Sequence, residues 1–121
     1  MKLVFVLFRK AGLTHKQCLA QWNGEQHTSI VRMIPGLKRW VQNHATTVPS
    51  EAAADGIGEL WFDSPAPMEQ TLNLPHMAAA VEDAKTFLVM ERTYALVVDE
   101  KTVFGKRSAS ECDIAVSSYM R

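Results

Sequence analysis

Residues 35–63, PGLKRWVQNHATTVPSEAAADGIGELWFD, contain the two strands on which the fold prediction depends. Over residues 37–45 successive side chains of a strand point to opposite faces of a sheet, so Trp40 and His44 share one face. A loop of small and acidic residues follows at 46–56. Over residues 57–63 the same alternation places Ile57, Glu59 and Trp61 on a single face. The segment therefore predicts two strands joined by a loop.

Upstream of this segment, the sequence predicts one strand and one helix. Residues 3–8 are continuously apolar, which is typical of a strand that is covered on both faces. Thr14 and Gln17 have the spacing of a capping box, in which each side chain satisfies a free backbone N–H. We expect the helix that starts there to continue past Trp22 and Met33 until Pro35.

Downstream, Ser64-Pro65 indicates a helix start, with a capping hydroxyl followed by proline at the first helical position. This helix is expected to reach about residue 73, where Leu74-Pro75 interrupts it. A second helical stretch to about residue 86 and a strand at 87–98 follow. The order strand-helix-strand-strand-helix-strand predicts an α+β, ferredoxin-like domain over residues 1–100. Residues 101–121 show little periodicity and are predicted to be a C-terminal extension.

Several predicted strands are apolar or aromatic on both faces. A sheet with helices on one side normally exposes its other side to water and is polar there. The simplest explanation is that a second copy of the chain covers the open face. We therefore expect a homodimer in which two sheets close a dimeric α/β barrel about a twofold axis.

Charge and cysteine content exclude several classes of protein. The 121 residues include 13 Lys and Arg and 13 Asp and Glu, which gives a formal net charge of zero. Neither a nucleic-acid partner nor a polybasic membrane anchor fits that balance. Cys18 and Cys112 are far apart and have no metal or redox spacing. With no signal peptide or membrane span in the sequence, we expect a cytoplasmic protein.

Four polar residues are candidates for acid–base chemistry: His27, His44, Glu59 and Asp83. The sequence has no phosphate-binding glycine loop and no zinc spacing, so we expect a reaction without metal or cofactor. Histidine titrates near neutrality and can exchange protons at working pH. The alternatives are that His27 is an idle helical histidine, that His44 lies in water at a strand end, and that Glu59 pairs with a cation such as Arg39.

Aromatic residues supply the candidate substrate-binding positions: Trp22, Trp40, Trp61 and Phe87. Large aromatic side chains are more often core than pocket, because a pocket also needs concavity. Both interpretations remain open for these four positions.

The chain resembles the EthD family of dimeric α/β-barrel proteins over roughly residues 2–100. Several ordered blocks carry the resemblance, and they are Lys2 to Arg9, Gly12-Leu13-Thr14, Gln21-Trp22-Asn23 with His27, PGLKRWVQNH at 35–44, DGIGELWFD at 55–63, and then Asp83, Phe87 and Glu91. Two positions differ from the family pattern. Trp40 stands where the family often has tyrosine, and Thr28-Ser29 replaces a common glycine-proline, so we expect the helix to continue past His27.

The resemblance implies the same fold and a cofactor-free activity on a small hydrophobic or aromatic-derived metabolite. Muconolactone methylisomerase and fungal polyketide decarboxylases are similar proteins. The family's proposed acid or base corresponds to His27 here. The leading hypothesis is an isomerase or lyase, acting on a small carboxylated or lactone compound, in which His27 moves a proton with help from His44, Glu59 or Asp83. The alternatives are a non-catalytic binding or accessory protein of a catabolic pathway and a cofactor-independent oxygenase.

Overall fold

The computed structural model describes residues 2–50, 53–63 and 70–105. Its main elements, in chain order, are β1 (Lys2–Leu7), α1 (His15–Trp22), α2 (Glu25–Arg32), β2 (Leu37–His44), β3 (Gly56–Phe62), α3 (Pro75–Ala84) and β4 (Tyr94–Val98). The strands form one antiparallel sheet in the order β2-β3-β1-β4. This arrangement confirms the predicted α+β, ferredoxin-like fold.

Parts of the prediction lie outside the described residues. Residues 70–72 are helical, but the predicted helix start at Ser64-Pro65 is not among the described positions. Most of the predicted extension, residues 106–121, is not among them either. The division of the chain at residue 100 therefore stays a prediction.

Strand register separates the two faces of the sheet. Leu3 of β1 lies opposite Leu60 of β3, and both side chains are buried in the core. One position along, Val4 lies opposite Glu59 on the other face. The helix-facing side carries the core, with buried residues Leu3, Val31, Ile34, Leu60, Phe62, Met77 and Ala80 in one cluster. The opposite side is called the open face below.

The helical layer breaks at Asn23-Gly24, and the prediction of a single helix from Thr14 to Pro35 was wrong. The capping box at the start of α1 is present: Thr14 Oγ1 accepts from the Gln17 amide at 3.1 Å. Gly24 is extended (φ −74°, ψ 159°) and caps α2. A Cβ at Gly24 would come within 3.0 Å of the Ala20 carbonyl oxygen, so glycine allows this tight turn. The second helix then runs past His27 to Arg32, as expected from Thr28-Ser29.

Two glycines of β3 allow Trp22 to lie against the sheet. A Cβ at Gly56 would approach Trp22 Cζ3 to 2.7 Å, and one at Gly58 would approach Trp22 Cζ2 to 3.2 Å. The indole therefore occupies the space that two side chains would otherwise take. Trp22 is 4% exposed and packs in a second core cluster with Leu7, Cys18, Ala84, Phe87 and Leu88.

The last strand is shorter than predicted. It begins at Tyr94 rather than at residue 87. Before it, Leu88 forms only an isolated bridge with Arg9, and the Val89 amide donates to the Phe8 carbonyl at 2.9 Å. The chain then turns, because the Val89 carbonyl accepts from the Thr93 amide and the Thr93 hydroxyl. This turn uses the backbone groups that a continuous strand would have paired.

An ion cluster centred on Asp55 joins the corners of three elements. Arg9 Nη1 lies 2.8 Å from Asp55 Oδ1, and the Arg9 amide donates to Asp55 Oδ2 at 2.9 Å. The ring of His15 contacts Asp55 Oδ1 through Nδ1 at 2.6 Å and the Ala45 carbonyl through Nε2 at 2.7 Å. Both partners of this ring are acceptors, so the doubly protonated imidazolium satisfies both contacts. The cluster ties the end of β1 and the start of α1 to the chain between β2 and β3.

The cluster shifts the pKa values of both His15 and Asp55. The hydrogen bond to Asp55 and the bond to the Ala45 carbonyl raise the pKa of His15 above its ordinary 6.5. Burial would raise the pKa of Asp55, but hydrogen bonds from His15 and Arg9 outweigh it and lower that pKa below 3.8. His15 therefore contributes stability that is present below pH 6.5 and is lost as the pH rises through its folded pKa. The contribution of Asp55 is present above pH 3.8 and is lost as the pH falls through its folded pKa.

We expect Asp55→Ala to lower the free energy of unfolding by about 3 kcal/mol, because it leaves a guanidinium and an imidazolium without their shared carboxylate. Urea unfolding followed by tryptophan fluorescence measures the change. The control is Asp63→Ala, whose side chain is 70% exposed in its pair with Lys38. That variant is expected to change stability by less than about 1 kcal/mol. Equal losses in the two variants would contradict a structural role for the cluster.

Candidate functional site

A cavity of about 70 Å³ lies between the helices and the sheet of one chain. Its walls are almost wholly apolar, and they include Phe5, Trp22, Val31, Trp40, Leu60 and Met77. The segment between α3 and β4 adds Leu88, Met90 and Thr93. The cavity lies on the helix side of the sheet, opposite the open face.

His27 is the ionisable side chain among the described residues that line the cavity. It lies in the first turns of α2 and is 7% exposed. Its ring meets Phe87 edge-to-face at 5.1 Å between centroids and Trp40 at 6.1 Å. Two aromatic neighbours therefore hold the orientation of the imidazole. His27 is thus buried, unlike the partly exposed helical histidine of the alternative interpretation.

Asp83 pairs with His27 across the helical layer. His27 Nδ1 lies 3.0 Å from Asp83 Oδ2, and Asp83 is 9% exposed on α3. The carboxylate can only accept, so Nδ1–H donates to it and the lone pair of the neutral ring is on Nε2. Gln26 Nε2 donates to the other carboxylate oxygen, Asp83 Oδ1. The result is a buried histidine–aspartate dyad with a defined tautomer.

Burial lowers the pKa of His27 below its ordinary 6.5, and the hydrogen bond and charge of Asp83 oppose that shift only in part. The ring is therefore neutral at pH 7 and able to take up a proton. The carboxylate stabilises the imidazolium once it forms, which is how a histidine base is supported in acid–base catalysis. The arrangement is suited to removing a proton from a molecule in the cavity and returning it.

His44 lies outside the cavity. Its ring stacks on Trp22 at 5.1 Å between centroids, and its Nε2 lies 2.8 Å from Gln42 Oε1. Gln42 Nε2 in turn donates to the Trp22 carbonyl at 2.9 Å. The side chain is exposed at the strand end, as the alternative interpretation held. His44 therefore supports Trp22 from outside and does not contact the dyad.

Glu59 and Trp61 lie on the open face, away from the cavity. Lys2 Nζ contacts Glu59 Oε1 at 3.1 Å, so Glu59 pairs with a cation, as the alternative interpretation held, and that cation is Lys2. Arg39 instead stacks on the Trp61 ring at 4.4 Å from its centroid, and Lys2 lies 4.9 Å from the same ring. The alternation of β3 explains this placement, because residues 57, 59 and 61 point away from the helices.

Three of the eight predicted site residues line the cavity, namely Trp22, His27 and Trp40, and a fourth, Asp83, pairs with His27. Phe87 contacts the His27 ring but lies among the core side chains. The aliphatic lining, such as Val31 and Met77, was not among the predicted site residues. Among the described residues, no group of three or more His, Cys, Asp or Glu side chains is arranged to hold a metal ion. No helix in the described ranges is long and apolar enough to span a bilayer.

Comparison with known proteins gives one family. A sequence profile of the EthD domain matches residues 10–91. No curated protein is significantly similar to the chain in sequence.

Solved structures share the fold. An EthD family protein from Bacillus halodurans superposes with a TM-score of 0.67 at 20% identity, covering 84% of this chain and 99% of its own. A dimeric protein with a ferredoxin-like fold from Bacteroides fragilis has a TM-score of 0.58 at 9% identity, and the match covers 78% of this chain and 90% of that protein. SnoaB, a cofactor-independent oxygenase from Streptomyces nogalater, has a TM-score of 0.54 at 8% identity, and the match covers 84% of this chain and 96% of SnoaB. At these identities the likeness concerns the fold alone.

We expect His27 to titrate below pH 6.5 and Asp83→Asn to lower its pKa further, because the variant removes the hydrogen bond and charge that favour the imidazolium. Imidazole resonances followed by NMR across a pH series measure both values. Glu82→Gln is the matched control, since Glu82 pairs with Lys85 on the exposed side of the same helix. A His27 pKa above 6.5, or a rise in Asp83→Asn, would contradict the dyad.

Proposed function

The chain belongs to the EthD domain family, and we propose that it is a cofactor-free isomerase or lyase in which His27 transfers a proton. The substrate is a small apolar or aromatic-derived metabolite bound in the cavity. One observation carries the proposal: a buried histidine, oriented by a carboxylate at 3.0 Å, lines an otherwise apolar cavity.

The proposed reaction uses the dyad as a single acid–base unit. His27 Nε2 removes a proton from a carbon next to a carbonyl, and the electron pair forms an enolate. The imidazolium, stabilised by Asp83, returns that proton to another carbon in an isomerase. In a lyase the enolate instead expels a leaving group from the neighbouring carbon, a carbon–carbon double bond forms, and the imidazolium gives its proton to the departing group. Dry surroundings strengthen the interaction between the imidazolium and Asp83, and such proton transfer contributes about 10²–10⁴-fold to rate.

We expect His27→Gln to reduce proton transfer at least about a hundredfold while the fold remains intact. The assay incubates a panel of small ring ketones and lactones in D₂O and measures deuterium incorporation by mass spectrometry. His76→Gln is the control, because His76 is an exposed histidine on α3 and leaves the cavity unchanged. Full exchange in folded His27→Gln would overturn the assignment. Tight binding of a panel compound without any exchange would favour a non-catalytic binding protein.

A cofactor-independent oxygenase is the second candidate. The similarity to SnoaB in fold and the apolar cavity, which suits molecular oxygen, support it. In that reaction His27 would remove the proton of an electron-rich phenol, and the phenolate would pass an electron to oxygen as the oxidant. Oxygen consumption in the presence of such phenols, lost in His27→Gln, separates this candidate from proton transfer alone.

We further propose that the protein is a homodimer that joins through the open face. Ile57 is 40% exposed on this face, Leu96 is 51% exposed and Tyr94 is 52% exposed. On the strand between them, Val6 lies opposite Ile57 and Tyr94, and Val4 lies opposite Leu96. These apolar side chains come from three neighbouring strands and form, beside the Lys2–Glu59 ion pair, a patch of the kind that marks interaction surfaces. The relative from Bacteroides fragilis is described as dimeric and has the same fold. A reducing, cytoplasmic location is also proposed, and the free, buried thiol of Cys18 is consistent with it.

We expect Ile57→Glu to convert the dimer to a monomer, because two copies would bury like charges at the centre of the twofold contact. Native mass spectrometry at micromolar concentration measures the change. Met33→Glu is the control: Met33 is 67% exposed at the end of α2, on the helical side. A monomeric wild-type protein, or a dimer that survives Ile57→Glu, would rule out this interface.

A further inference from the structure

The lining of the cavity carries no positive charge among the described residues. Besides the indoles, its polar side chains are His27 and Thr93. The Thr93 hydroxyl donates to the Val89 carbonyl at 2.9 Å, so its proton is already engaged. Lys2 and Arg39 lie on the other face of the sheet, against Trp61. Sites that bind carboxylates usually supply a guanidinium, an ammonium or several backbone amides. None of these side chains lines this cavity.

The carboxylate of Asp83 makes the cavity less favourable for an anion. Its hydrogen-bond partners among the described residues are His27 and Gln26, and neither is a lysine or arginine. Asp83 is 9% exposed, so little water screens it. A second negative charge on the far side of the imidazole would be repelled through a low-dielectric interior. Such an anion would also lose its hydration without gaining a cation in exchange.

The size of the cavity sets an upper limit on the molecule. Its volume is about 70 Å³, whereas an engineered apolar cavity that binds benzene has roughly 150 Å³. Two lining side chains, Met77 and Met90, are unbranched and flexible, so rotamer changes can enlarge the space. The cavity as it stands is smaller than the engineered one, so a single planar ring is the unit that it would hold once these side chains move.

We infer that this cavity selects an uncharged, single-ring molecule that presents an O–H or acidic C–H to His27, and that it rejects the corresponding carboxylate. The inference deepens the proposed function and rests on it for the role of His27. It departs from the sequence-based hypothesis of a carboxylated substrate, because the charges around the dyad disfavour one. The substrate class is thereby narrowed to neutral rings such as phenols, cyclic ketones and lactones without a free acid group.

The test uses three one-ring probes: phenol, nitrobenzene and benzoate. Nitrobenzene and benzoate have the same planar shape and differ in charge. The probes are titrated at pH 7 into the uniformly ¹⁵N-labelled protein, and the indole N–H signals are followed. The chain has three tryptophans. Trp22 and Trp40 line the cavity, and Trp61 on the open face is an internal reference.

We expect phenol and nitrobenzene to shift the Trp22 and Trp40 signals, and benzoate to bind at least about tenfold more weakly than nitrobenzene. Asp83→Asn is expected to reduce the ratio of the benzoate Kd to the nitrobenzene Kd at least about threefold, because it removes the repelling charge. Glu82→Gln, which removes an exposed carboxylate of the same helix, should leave the ratio unchanged.

Three results would overturn the inference. They are benzoate binding as tight as nitrobenzene binding, an unchanged ratio in Asp83→Asn, and shifts of Trp61 without shifts of Trp22 and Trp40. Failure of all three probes to bind would also overturn it, because a one-ring cavity must hold at least one of them. These measurements concern binding only. Loss of the proposed function would instead appear as exchange that persists in His27→Gln, so the two failures are distinguishable.

Discussion

The indole of Trp22 lies directly against the backbone of β3, and the position of the candidate site depends on this contact. Gly56 and Gly58 leave the space that the ring fills, since a Cβ at Gly56 would come within 2.7 Å of it. Because Trp22 is the last residue of α1, its contact with the sheet fixes where that helix ends. The turn at Gly24 then starts α2 in a new direction, and His27 on its first turns faces the core.

Two histidine–aspartate pairs in this small domain have opposite electrostatic behaviour. His15 lies at an edge of the molecule, between two acceptors, and its pKa is raised by the hydrogen bond to Asp55. His27 is enclosed by aromatic and aliphatic side chains, and burial lowers its pKa in spite of Asp83. As the pH falls below 6.5, His27 costs stability because the unfolded chain binds the proton more readily. The stabilisation from His15 is fully present below pH 6.5 and is lost as the pH rises through its folded pKa. The same pair of residue types therefore forms a structural clamp in one place and, in the proposed mechanism, a neutral base in the other.

Much of the fold could be predicted because it depends on local patterns. The alternation of side chains along a strand correctly placed Trp40 and Arg39 on opposite faces of the sheet, and likewise Glu59 and Leu60. The capping box at Thr14 correctly marked the start of α1. The break at Gly24 was missed, since a glycine inside a helical pattern is often tolerated and only the close carbonyl of Ala20 shows why it is needed here. The late start of β4 was missed because the turn at Val89–Thr93 is closed by backbone amides and the Thr93 hydroxyl on the Val89 carbonyl, which the apolar pattern does not reveal. Asp83 did carry a signal: it follows Met77 and Ala80 at helical spacing, so a carboxylate falls on a buried face.

The sheet separates the candidate site from the proposed dimer interface, and alternation alone could not reveal this. A period of two divides a strand into two faces, but it does not say which face the helices cover. That choice is made by the glycines of β3, which admit Trp22 on one side and leave Ile57, Glu59 and Trp61 on the other. As a result, the cavity is built from one chain, whereas a second copy would contact only the opposite surface. Under the proposed function, assembly and chemistry could then change independently: substitutions on the open face would alter association, and substitutions around His27 would alter which molecule is bound and how its proton is moved.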